Sequence, residues 1–175
     1  NVNEAKLTAN YQTYGVLYNW QAAIAACPPG WHLPDEDEWT TLKNFLGTDA
    51  GGKMKETGTS HWQSPNTGAT NETGFTALPG GDRFADGLFY DIGNYGYWWT
   101  SSYNDVYQRY FHYMSYDNSS ALGSHYFLLN GLSVRCLQGE DQVLPLVSTT
   151  SISAITSASA TSGGDVSSTG GSAVT

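Results

Sequence analysis

The helix signals and the strand signals of this chain occupy separate halves of one segment, and that separation constrains the fold more than any other feature. The clearest helix signal is "PDEDEWTTLKNFLG". Asp35 stands at the N-cap position with Glu38 three residues on, the arrangement of a capping box. Acids in the first turn suit the helix dipole, Trp39, Leu42 and Leu46 recur as one apolar stripe, and Gly47 supplies the stop. A weaker helix covers about 19–26 and is halted by Pro28-Pro29. From Gly74 onward the chain is a series of short β-prone runs between Gly and Asn turns: "FTAL", "GLFYDIG", "GYWWTSS", "YQRYFHYM", "HYFLL" and "LSVRCL". Helices first and antiparallel strands second make an α+β domain.

Charge narrows the partners. Sixteen acids against 7 bases leave a net charge of -9, and only Lys53 and Lys55 come close to clustering. A phosphate-binding face needs grouped Lys and Arg, so nucleic acid is not expected as a partner. No stretch approaches the ~20 apolar residues of a membrane span. Tyr and Trp outnumber Phe by 18 to 6, and the chain holds 20 Gly. Rings with polar handles set among Gly, Asn and Ser read as a loop-rich extracellular domain. The chain starts at Asn1 with neither an initiator Met nor a signal peptide, which reads as a processed terminus or a fragment. Cys27 and Cys136 are too far apart for CxxC chemistry. In an exported protein they read as one disulfide; two buried thiols are the alternative.

Composition breaks near Gly139. No aromatic residue follows it, and 15 of the 28 residues from Ser148 to Thr175 are Ser or Thr. The expected division is a domain over 1–139, a linker over 140–147 and a Ser/Thr-rich tail over 148–175. Alternating Ile152, Ala154 and Ala158 with Gly-Gly pairs at 163–164 and 170–171 suggest two weak strands in that tail. Two strands build no core alone, so the tail is expected to pair with something else.

Several stretches together carry a family resemblance: "YGVLYNWQAA", "CPPGWHLPDEDEWTTLKNFLG", "GGKMKETGTSHWQSPNTGATNETGFTALPGGDR", "GYWWTSS" and "LSVRCL". They resemble the Fibrobacter succinogenes major paralogous domain, found in exported proteins of Bacteroidetes and relatives. "HLPDEDEW" followed late by "VRC" also resembles formylglycine-generating enzymes. The resemblance implies a C-type lectin-like fold with two helices, small antiparallel sheets and long loops, lacking the family's leading β-rich segment. The tail resembles the opening strands of an Ig-like repeat, here incomplete. Copper-binding formylglycine-generating enzymes use a cysteine pair at the active site, whereas the two cysteines here align with the domain's flanks, so that activity is not implied.

Candidate chemistry is sparse. Consecutive helical residues point in different directions, so Asp35, Glu36, Asp37 and Glu38 cannot converge on one ion and read as capping. In "NTGATNETGF", Asn66, Asn71 and Glu72 could hold a structural calcium with backbone oxygens, or could bond their own loop. Asp82, Asp86 and Asp91 form a weaker set; Asp86-Gly87 reads as a hairpin turn, and Asp82 as a partner for Arg83 or Arg109. His32, His61, His112 and His125 show no compact metal spacing, although His112 and His125 fall in neighbouring expected strands. Ser101-Ser102 lie in no nucleophile elbow. No cofactor is expected beyond that calcium.

The aromatics divide. Trp98 and Trp99 must face opposite sides of a strand, so at most one is expected in the core while the other faces a second layer or solvent. Tyr103, Tyr107, Tyr110, Tyr113, Tyr116 and Tyr126 sit among Asn, Asp and Ser, the composition of adaptable recognition surfaces. A ligand site is expected on the first five, with Trp99 beneath. The expected function is a non-enzymatic module on the bacterial cell surface that binds a glycan or protein. The alternative is a structural subunit of an extracellular filament, self-associating through strand complementation by residues 148–175.

Overall fold

The computed structural model describes residues 4, 6–139, 146–149, 152–153, 156–159 and 164–168. The chain forms two compact units, Asn1–Leu137 and Gln138–Thr175. In the second unit, β8 (Leu146–Thr149) and β9 (Gly164–Ser168) pair antiparallel. β8 begins inside the segment expected as linker; the remainder of that linker, 140–145, lies outside the described residues, as do Ala154 and the Gly-Gly pair at 170–171.

Among its described residues the first unit opens with four short helices: α1 (Ala9–Tyr14), α2 (Trp20–Ile24), α3 (Glu36–Leu46) and α4 (Ala50–Met54). Local chemistry starts the first three. Thr8, Asn19 and Asp35 are their N-caps, each accepting a backbone N–H from the first turn. At α3 the capping box closes in both directions, with Asp35 Oδ1 accepting from Glu38 N at 2.8 Å and Glu38 Oε2 accepting from Asp35 N at 3.0 Å. Two of these helices match the expected pair. α1 and α4 exceed it.

α4 is a helix of sequence AGGKM, against the turn character of two adjacent glycines. Close approach explains it. A Cβ on Gly51 would lie 2.3 Å from the backbone oxygen of Ser120, and one on Gly52 would lie 2.3 Å from that of Gly68. Contact with two backbones therefore outweighs the ~1 kcal/mol that each Gly costs in a helix.

The strand region forms a three-stranded antiparallel sheet, β4 (Tyr95–Tyr103), β5 (Gln108–Ser115) and β6 (Leu122–Phe127), in that order. A bulge interrupts the β4–β5 register between Trp99 and Tyr103. Two-residue strands complete the unit. β2 (Asp82–Arg83) pairs with β3 (Phe89–Tyr90), and β1 (Trp31–His32) pairs with β7 (Leu137–Gln138). "FTAL" contributes only a bridge from Ala77 to Lys55, and "LSVRCL" contributes bridges rather than a full strand before Leu137. The unit is α+β with small antiparallel sheets.

The sheet is covered on both faces, and of the two places expected for the second indole, a second layer or solvent, it takes the second layer. Both indoles are buried. Trp98 packs with Trp39, Met54, Trp62 and Met114 on one side; Trp99 packs with Trp20, Leu33, Phe111 and Leu132 on the other. The two rings do point apart, but the sheet divides two cores instead of a core from solvent. Truncating any one of these large buried side chains would cost about 2–5 kcal/mol.

Lys55 runs against its residue type. It is fully buried, and its Nζ donates to the carbonyls of Thr67 at 3.0 Å, Ser115 at 2.8 Å and Asn118 at 2.9 Å. All three ammonium N–H groups are thereby used, and the charge also stands over the Trp62 ring. Cys27 and Cys136 form the disulfide.

Candidate ligand-binding surface

The β4–β5 hairpin is shaped by one side chain. Asp105 Oδ1 accepts from Tyr107 N at 2.7 Å and Gln108 N at 2.8 Å, an Asx turn that throws Val106 and Tyr107 outward. Both are more than two-thirds exposed, as is Tyr103. Tyr107 C=O accepts from Leu128 N at 3.0 Å, which holds the hairpin to the chain leaving β6. The buried Asn130 then accepts Ala85 N through Oδ1 at 3.0 Å, fixing the tip of the β2–β3 hairpin beside them. That tip turns at Asp86-Gly87 as expected: Gly87 has φ +95°, and Asp86 Oδ1 accepts from Leu88 N at 2.9 Å.

Between these three clamped segments lies an open groove of about 490 Å³. Phe84, Tyr107, Phe127 and Leu129 give it an apolar lining, and Asp86 is the charged residue on it. All four apolar side chains are exposed, and Phe89 and Tyr90 continue the patch along β3. A larger groove of about 640 Å³ lies by α1, with Tyr11, Tyr14, Val16 and Phe89 in its walls. It includes Lys6, next to residue 5, which lies outside the described residues.

The expected tyrosines do not share one surface. Tyr107 lines the groove. Tyr103 covers Arg109, whose guanidinium lies over its ring at 4.5 Å and over that of Trp20 at 4.4 Å, the two rings meeting edge-on. Tyr110 lies edge-on to His125, on the opposite face of β5 from Tyr113, which packs with Phe111 and Tyr97. Tyr116 packs against the Trp98 core. Trp99 is wholly buried, and its Nε1 donates to Tyr18 C=O at 2.7 Å; it is core, and no ligand reaches it. Strand alternation separated the tyrosines. Phe84, Phe127 and Leu129 were missed because they come from different hairpins.

The acids and histidines serve the scaffold. Glu36, Glu38 and Glu56 contact His112 at 2.9 Å, His32 at 2.8 Å and His61 at 2.8 Å. The acidic run at α3 therefore caps its helix and also reaches two histidines. His112 is buried and stacked on Trp39, with its strand neighbour Gly123 and not His125 opposite it. Of the calcium candidates, Asn66 donates to the carbonyls of Glu56 and Gly58, Asn71 closes on Thr76, and Glu72 lies 3.4 Å from Lys53. Each is engaged separately. Among the described residues no group of three or more His, Cys, Asp or Glu is placed to hold a metal.

Asp82 pairs with neither Arg83 nor Arg109. It is buried and accepts from Tyr126 OH at 3.0 Å, while Asp91 accepts from Tyr97 OH at 2.8 Å. Burial raises the pKa of Asp82; the Tyr126 hydrogen bond opposes this and the nearby Asp91 charge adds to it. Burial first, and the hydrogen-bonded carboxylates second, raise both tyrosine hydroxyls. These four groups tie β2–β3 to the central sheet behind the groove.

No helix among the described residues is long and apolar enough to cross a membrane. No curated protein and no solved structure matches the chain at a significant level. The sequence model of the Fibrobacter succinogenes major domain matches residues 1–138, and the chain belongs to that family.

Proposed function

We propose that this protein is an exported, non-enzymatic module of the bacterial cell surface that binds its ligand in the groove between Tyr107, Phe127 and Phe84. The observation that carries the reading is the groove itself. Exposed aromatic and aliphatic side chains are held on three hydrogen-bonded turns, and a patch of this kind marks an interaction site. His32, His61 and His112 pair with glutamates of the scaffold, and none of them lines the groove. The disulfide supports export, since such bonds persist in oxidising compartments. The lectin-like resemblance adds glycans to the ligand classes worth testing.

Glycan arrays and peptide libraries probed with the whole chain test the reading. Binding by the wild type and its loss in the Tyr107→Ala, Phe127→Ala double variant is expected. Full binding by that variant, or none by the wild type, overturns it. The assembly alternative draws on β8 and β9, which among the described residues pair only with each other, in a ribbon too small to be stable alone. Under that alternative, removing 148–175 abolishes filament formation, and neither the whole chain nor the shortened one binds glycan or peptide.

A further inference from the structure

The two edges of the central sheet are treated differently. Along β4 the outward groups are used: Trp99 N donates to Ser133 C=O, Tyr97 C=O accepts from Ser133 N, Tyr95 C=O accepts from Gly81 N, and Ser101 N donates to Pro34 C=O. β6 has no such cover. The β5–β6 ladder runs without a bulge from Tyr113↔Leu122 to Gln108↔Phe127. At its next position Leu128 N donates to Tyr107 C=O. Antiparallel positions alternate between bonded and unbonded pairs, so Leu122, Ser124 and Tyr126 direct their backbone groups toward β5. Gly123, His125 and Phe127 direct theirs outward. Phe127 C=O accepts from Asn130 N. The N–H and C=O of Gly123 and His125 and the N–H of Phe127 have no partner among the described residues.

The usual defences of an open edge are missing too. β6 reads LGSHYF, with no lysine and no proline, and no bulge twists it away. Gly123, His125 and Phe127 are all exposed. Phe127 both ends this edge and lines the groove, so a row of unpaired backbone groups leads directly into an apolar slot. Main-chain pairing along an edge with one side chain seated in a pocket is the chemistry by which a sheet takes up an extended peptide.

We propose that β6 is a strand-acceptor edge: the ligand is an extended peptide segment of another protein that pairs with Gly123, His125 and Phe127 and seats an apolar side chain in the groove. This rests on the groove being the binding site and names what enters it. Charge selects among peptides. Asp86 lines the groove, no Lys or Arg does, and the chain carries a net charge of -9. A segment with Lys or Arg beside its apolar anchor is favoured, and a second copy of this acidic chain is disfavoured.

The probe is a synthetic library of peptides about seven residues long, alternating Thr with Val or Phe, with Lys-flanked and Glu-flanked sets. Lys-flanked members are expected to bind. N-methylation at alternate peptide residues in the pairing phase is expected to weaken binding by about tenfold or more, since each lost main-chain bond strands a partner. On the protein, His125→Pro removes one outward N–H and leaves the bonds to β5 intact, and a comparable loss is expected. Phe127→Ala should weaken binding at the anchor. Because N-methylation leaves the protein untouched, it decides the matter even where His125→Pro perturbs folding. Peptide binding indifferent to N-methylation overturns the proposal, as does preference for the Glu-flanked set. Glycan binding that needs Tyr107 and Phe127 but ignores His125→Pro overturns strand pairing and leaves the groove reading standing. Self-association that His125→Pro abolishes overturns the claim of a foreign partner.

Discussion

Lys55 and Asp82 show how far residue type alone misleads. Lys55 stands in the one near-cluster of basic residues, yet its ammonium is a buried joint between three backbone carbonyls. Lys55→Met keeps the volume and leaves Thr67, Ser115 and Asn118 without their donor; a loss of about 3 kcal/mol is expected in urea unfolding. Asp82 makes a pH-dependent contribution. Its folded pKa lies above the ordinary 3.8 because it is buried, so the folded state holds that proton more tightly than the unfolded chain. Its contribution to stability is therefore fully present on the acid side of 3.8 and is lost as pH rises through the folded pKa. Asp82→Asn should flatten that slope, checked by comparing urea midpoints of both proteins from about pH 4 to 7. Neither role was legible in sequence, since both depend on groups some ten to sixty residues away. The Asp35–Glu38 capping box was legible because every atom it uses lies within one turn.

Elements were readable to the degree that their causes were local. α3 appeared with its cap, α2 with its approximate span, and β4, β5 and β6 as β-prone runs. α4 did not, because Gly51 and Gly52 are chosen for what lies against them. Gly52→Ala is expected to destabilise by about 2–4 kcal/mol in thermal melts followed by circular dichroism, although alanine is the better helix former. The added Cβ would meet the Gly68 backbone at 2.3 Å, and backbone cannot swing aside. The groove was half legible. Tyr107 was singled out, whereas Phe84, Phe127 and Leu129 come from turns that only the tertiary hydrogen bonds of Asn130 and Leu128 bring together.

At the scale of the molecule, the disulfide and the two cores decide how the domain fails. Cys27 and Cys136 are 109 residues apart, so closing that loop is worth about 4–5 kcal/mol in the chain-entropy treatment. The Cys27→Ser, Cys136→Ser variant should lose most of that, read as a lowered urea midpoint. The two cores lie on opposite faces of the sheet. Met54→Ala on one side and Leu132→Ala on the other should each cost about 2–5 kcal/mol, and their sum should match the double variant within about 0.5 kcal/mol. The groove is built on the Trp99 side, where Leu128 packs and Phe84 meets Tyr126. A sheet that partitions its interior in this way is also an insulator against mutation. Drift around the ligand surface leaves the Trp62 half of the domain intact, so a lineage carrying this scaffold can change what it recognises without first having to rebuild what keeps it folded.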